Sequence, residues 1–143
     1  MKENNSQISI RNTNGYKTEI KSQNHLIIAD EPKISGGTDE GFNPYELVLS
    51  ALGSCKAITM RMYAQRKNIP LGDISINLYY EKIHAEDCPE CETKEGKIDK
   101  IEVEIILSGE LDEDQRKRLL DISEKCPVHK TLVSEIKINT NLK

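Results

Sequence analysis

Tryptophan is absent from the 143 residues and phenylalanine occurs once, so aromatic residues make up only 4% of the chain. The core must therefore be aliphatic and modest in area, and association with a second copy would bury more. Long apolar runs are missing too. No window approaches the roughly 20 apolar residues of a membrane-spanning helix, and MKENNSQISI at the start lacks the apolar stretch of a signal peptide, which leaves the cytoplasm as the expected location. Runs of one charge sign are also lacking. The 20 basic and 24 acidic residues are interspersed and give a net charge of −4, without the basic footprint that nucleic acid or an anionic membrane requires. Both partners are excluded. There are no internal repeats, low-complexity tracts or composition shifts, so residues 1–143 read as one globular domain.

What is present begins with residues 42–66, FNPYELVLSALGSCKAITMRMYAQR, which read as one long helix. Asn43 suits the N-cap, Pro44 the first helical position and Glu46 the reciprocal position of a capping box, while Phe42 and Leu47 have the spacing of a hydrophobic staple. Val48, Ala51, Leu52, Cys55, Ile58, Thr59 and Met62 recur at three-and-four spacing on the face expected to be buried. Lys56, Gln65, Arg66 and Lys67 lie off that face. Cys55 is thus expected to point inward.

Upstream, residues 7–30 alternate loosely, with turn signals at Asn14-Gly15 and near Asn24, and predict two or three short antiparallel strands. The loop EPKISGGTDEGFNP then leads to the helix. Its length suggests more than a minimal connection. Downstream, Asn68 and Pro70-Leu71-Gly72 stop the helix. DISINLYYEKI and KIDKIEVEIILSG alternate as antiparallel strands with one solvated face. A second helix follows, with Asp112 as cap, Gln115 closing a capping box, and Leu119, Leu120 and Ile122 inside. Cys126-Pro127 opens a short third helix, and EIKINTN predicts a last strand. The order of elements gives an α+β fold.

Four cysteines carry the candidate chemistry. Cys55 on a buried helical face could be core or catalyst. Cys126 would cap a helix, where oriented N–H groups favour thiolate, and His129 three residues on would add to this if protonated. Cys88 and Cys91 form C-P-E-C in an acidic loop with His84 four residues before. Glu86, Asp87, Glu90 and Glu92 oppose thiolate formation there, which disfavours a thioredoxin-like role, whereas His84, Cys88 and Cys91 have the donor types of a zinc site with a fourth ligand unassigned.

The run PYELVLSALGSCKAITMRMYA, the loop EPKISGG before it and the later KCPVHKTL together resemble the family of osmotically inducible protein C and organic hydroperoxide resistance proteins (OsmC/Ohr), over about residues 30 to 140. The resemblance implies an OsmC-like α+β fold with antiparallel sheets around a long central helix, assembled as an intertwined homodimer. It implies a thiol-dependent peroxidase without a cofactor, acting on organic hydroperoxides and recharged by an external dithiol. Cys55 would be the peroxidatic and Cys126 the resolving cysteine, the reverse of what helix-end electrostatics suggest for the first attack.

One departure from the family is plain. Where its members place a glutamate directly after the helix-opening proline, paired with an arginine, this chain has Tyr45. Glu46 lies about 180° round a straight helix from Cys55, which suits a capping partner, and Arg61 about 240°. Glu46, Arg61 and His129 remain the candidate supporting residues. A competing expectation is an OsmC-like protein that binds a small molecule or a metal and lacks peroxidase activity.

Overall fold

The computed structural model describes residues 6–143. They divide into two compact units, one up to Val48 and one from Leu49 onward, with the boundary inside the long helix.

The first unit holds a three-stranded antiparallel sheet in the order β1 (Ser9–Asn12), β2 (Thr18–Lys21), β3 (Leu26–Ala29). Ile10 lies opposite Ile20 and Ile20 opposite Ile27. Gly15 takes φ 62° in the first connection, a left-handed conformation that a residue without Cβ adopts at no steric cost. After β3 the chain folds around Asp30. Its buried carboxylate accepts from the backbone N–H groups of Glu31 (2.7 Å) and Glu40 (3.2 Å) and from the Thr38 hydroxyl (2.6 Å). These bonds hold Asp30 well below its ordinary 3.8, at about 2, with the Thr38 hydroxyl the largest cause. The loop whose length suggested more than a minimal connection is therefore a built turn. It brings Phe42 beside Ala29, where the Asp30 N–H donates to the Phe42 carbonyl at 3.0 Å.

The long helix α1 runs Pro44–Arg66, with Pro44 at the first helical position as its sequence predicts and Phe42 held before the cap in that bridge. Its capping box is present: the Glu46 N–H donates to Asn43 Oδ1 at 2.8 Å and the Asn43 N–H to Glu46 Oε1 at 2.9 Å. Its end is set by Asn68 in the left-handed conformation at φ 54°. The Ile69 N–H reaches back to the Ala64 carbonyl and the Asn68 N–H to Gln65, the paired bonds of a Schellman motif.

In the second unit, β4 (Ile74–His84) pairs with β5 (Lys97–Leu107) antiparallel. Ile74, Ile76, Leu78 and Tyr80 face Leu107, Ile105, Val103 and Ile101, so the two alternations coincide across the ladder and make one apolar face. Met60 and Ala64 of α1 and Leu119 of α2 (Glu113–Ser123) are buried together, with Ile74, Ile76, Ile105 and Leu107 packed against them. Helix α2 carries the expected Asp112–Gln115 capping box and buries Leu119 and Ile122; Leu120, expected inside, is exposed because it lies off the line that Leu119 and Ile122 form. Helix α3 is Pro127–Leu132, capped by Cys126.

Two expectations are corrected. EIKINTN forms no strand: neither sheet offers it a ladder, and Ile138 is 82% exposed. The buried line of α1 is Leu52, Lys56, Met60 and Ala64 at four-residue spacing, so Lys56 is inside while Val48, Ile58 and Met62 are exposed. The apolar pattern of α1 is wide enough to fit two faces, and the strands and α2 select the one that includes the lysine.

Candidate active site

The site is assembled from the middle of α1 and the turn between α2 and α3, all within the second unit. Cys55 is partly accessible and Cys126 fully buried; both are free thiols, and Cys55 is near enough to act on the ionisation of Cys126. The Cys126 sulfur accepts the His129 N–H at 3.3 Å, the N-cap arrangement expected of Cys126-Pro127.

That cap does not make Cys126 acidic. Burial pushes its thiol above the ordinary 9.0 as the largest effect; the His129 N–H pulls it down, the neighbouring Cys55 pushes it up again, and the charge of Lys56 lowers it. The expectation of a thiolate at this helix end is thus corrected: desolvation of the sulfur outweighs one N–H of a six-residue helix.

Sequence reasoning missed Lys56, which is 1% exposed. Nζ donates to the Ser123 carbonyl at 3.0 Å and meets His129 Nδ1 at 2.9 Å, with Glu124 Oε1 at 3.8 Å. An ammonium has donors only, so His129 Nδ1 is the acceptor in this pair and the ring proton sits on Nε2. Glu124 Oε2 lies 3.6 Å from the same ring nitrogen. The signal available in the sequence was the Leu52-x3-Lys56-x3-Met60-x3-Ala64 spacing, which carries the lysine on an otherwise apolar line. Beside these groups lies a cavity of about 270 Å³ lined by Leu52, Ile101, Val103, Lys56, Glu124 and His129, among others, an apolar chamber with a few polar groups at one side.

The other candidates lie elsewhere. Glu46 is engaged in its capping box, and Arg61 donates through Nη1 to the Leu71 carbonyl at 2.9 Å and through Nη2 to that of Gly72, tying down the chain after α1. Cys88 and Cys91 are joined by a disulfide in the loop between β4 and β5, where Lys94 Nζ donates to the Cys91 carbonyl at 2.6 Å. Bridged sulfurs offer no thiolates to a metal. Among the described residues no group of three or more His, Cys, Asp or Glu side chains is placed to hold one, so His84, Cys88 and Cys91 do not form the zinc site their donor types suggested. No helix among them is long and apolar enough to cross a membrane.

Comparison with known proteins identifies the family. The sequence model described as OsmC-like protein matches residues 37–141. A hydroperoxide reductase of Mycoplasma pneumoniae is 26% identical over 139 residues, covering 94% of this chain and 92% of that protein. The crystal structure of an OsmC-like protein from M. pneumoniae superposes with a TM-score of 0.73 at 24% identity, covering 99% of this chain and 98% of the other. An organic hydroperoxide resistance protein OsmC from Legionella pneumophila gives 0.65 at 17% identity, over 93% and 92%. With two antiparallel sheets, a long helix bearing a thiol, and a family match over most of its length, this chain belongs to the OsmC-like family.

Proposed function

We propose that the chain reduces organic hydroperoxides through a two-cysteine cycle. The observation that carries this reading is the pair of free thiols, one partly accessible and one buried, close enough that the first acts on the ionisation of the second. Cys55, as thiolate, attacks the terminal oxygen of ROOH. The O–O bond breaks, the alkoxide takes a proton and leaves as alcohol, and Cys55 becomes a sulfenic acid. Cys126 then attacks the Cys55 sulfur, forming the disulfide and expelling hydroxide, which leaves as water. An external dithiol reduces the bridge and restores both thiols. The raised Cys126 thiol suits the second role better than the first, which supports the assignment of the initial attack to Cys55.

The working form is a homodimer in the cytoplasm. Ile58 and Met62 on α1, and Ile10 and Leu26 on the first sheet, are exposed in the single chain, which supports a covering partner. Light scattering of the purified protein tests this, a monomer at micromolar concentration being the adverse result. For the chemistry, mass spectrometry after one equivalent of cumene hydroperoxide should find a Cys55–Cys126 bridge. Turnover with a dithiol should vanish in Cys55→Ser, and equal activity in that variant refutes the assignment.

A further inference from the structure

A lysine taken out of water costs several kcal/mol unless the fold supplies partners, and one of Leu or Met would fill the same line of α1 without that cost. The location of the Lys56 partners indicates what the lysine is for. Ser123, whose carbonyl accepts from Nζ at 3.0 Å, stands three residues before Cys126, and His129, whose Nδ1 lies at 2.9 Å, stands three residues after it. The same His129 donates its backbone N–H to the Cys126 sulfur. Lys56 itself directly follows Cys55 in α1. One helical step therefore carries the first thiol, and the next carries a clasp on both flanks of the second. The ion pair with Glu124 does not account for the burial, because that carboxylate is 58% exposed and 3.8 Å away, an arrangement worth little.

We infer that Lys56 is a positioning residue of the dithiol site, whose buried ammonium holds the Cys126 segment against Cys55 and stabilises the thiolate through which Cys126 closes the disulfide. This rests on the two-cysteine reading above. In the closing step the Cys126 sulfur must lose its proton inside the protein before it forms the S–S bond and displaces hydroxide from Cys55. A sealed, uncompensated sulfur resists that ionisation, and a fixed positive charge nearby offsets the resistance. The charged and titratable groups around the sulfur are Cys55 and Lys56 from α1, with Glu124 and His129 on its own segment; β5 contributes only the apolar Ile101 and Val103 to the adjoining cavity. Lys56 is the one cation among them when His129 is neutral, as its bond to Nζ requires.

The test uses the full chain in a Cys55→Ser background, with Cys88 and Cys91 bridged, so that Cys126 is the single free thiol. The pH dependence of its thiolate absorbance at about 240 nm, taken as the difference from the same protein carrying Cys126→Ser as well, reports its ionisation without any hydroperoxide chemistry and without a reagent having to reach the buried sulfur. Adding Lys56→Met should move the midpoint up by about one unit, a tenfold loss of thiolate at a given pH, and Lys56→Arg should keep it within half a unit of the parent. An unchanged midpoint in a folded Lys56→Met protein overturns the inference. If that variant does not fold, Lys56→Gln, which keeps a donor for the Ser123 carbonyl and loses the charge, gives the same two outcomes. Because the midpoint is measured without peroxide, its failure leaves the peroxidase reading standing, and absence of a Cys55–Cys126 bridge in the native protein leaves the midpoint result standing.

Discussion

Joining Cys55 to Cys126 would close a loop of about 70 residues, and the chain-entropy account of cross-linking gives such a bridge about 4 kcal/mol at 25 °C. The native state should lose little of this to strain, since the two thiols are already neighbours. The Cys88–Cys91 bridge closes a loop of about four residues, contributes about 2 kcal/mol on the same account, and is already formed before any oxidant is added. One equivalent of cumene hydroperoxide should then raise stability by about 4 kcal/mol. With a urea m-value of roughly 2 kcal/mol/M, the unfolding midpoint moves up by about 2 M. The assay is urea unfolding by circular dichroism at one fixed protein concentration, before and after oxidation, with Cys126→Ser treated in parallel. The wild-type midpoint should rise and that of the variant should not. A mass-verified Cys55–Cys126 bridge without any rise would refute the loop-entropy reasoning, and an equal rise in Cys126→Ser would place the oxidative stabilisation elsewhere.

Leu119→Ala removes a fully buried side chain from the cluster it forms with Met60 and Ala64 and should cost about 2–5 kcal/mol in urea unfolding, against less than about 0.5 for a similar truncation of an exposed residue such as Glu113. Asp30→Asn should lower the midpoint at neutral pH. Because the native carboxyl titrates near 2 and the ordinary value is 3.8, its stabilisation is complete above the ordinary value and lost as pH falls towards 2, so the gap between wild type and variant should close over that window; a gap independent of pH contradicts the account. Gly41→Ala would set a Cβ 2.1 Å from the Ile28 carbonyl, backbone against backbone, and should destabilise the turn that joins β3 to α1, detectable as faster amide exchange at Asp30 and Phe42.

Local rules with a single dominant cause were legible. Asn43 with Glu46 and Asp112 with Gln115 form the capping boxes their spacing announces, Asn68 ends α1, and Cys126 caps α3, because each depends on a few residues adjacent in the chain. The alternation of β4 and β5 was legible for the same reason, each strand having one apolar face. What the sequence did not reveal depends on partners far along the chain. Lys56 looked solvated because a lysine usually is, and only the meeting of α1 with the Ser123–His129 segment makes its burial tolerable. The acidity expected of Cys126 rested on the nearby N–H groups and omitted desolvation by residues some seventy positions away. EIKINTN has the period of a strand, but period does not supply a neighbouring edge.

The unequal exposure of the two sulfurs has a consequence for how the protein ages. Excess oxidant reaches Cys55 first, so irreversible sulfinic and sulfonic damage should accumulate at that one atom while its sealed neighbour stays intact. Worn molecules would then be recognisable by a single chemical scar in mid-helix, and their population would record past exposure that the reversible bridge erases.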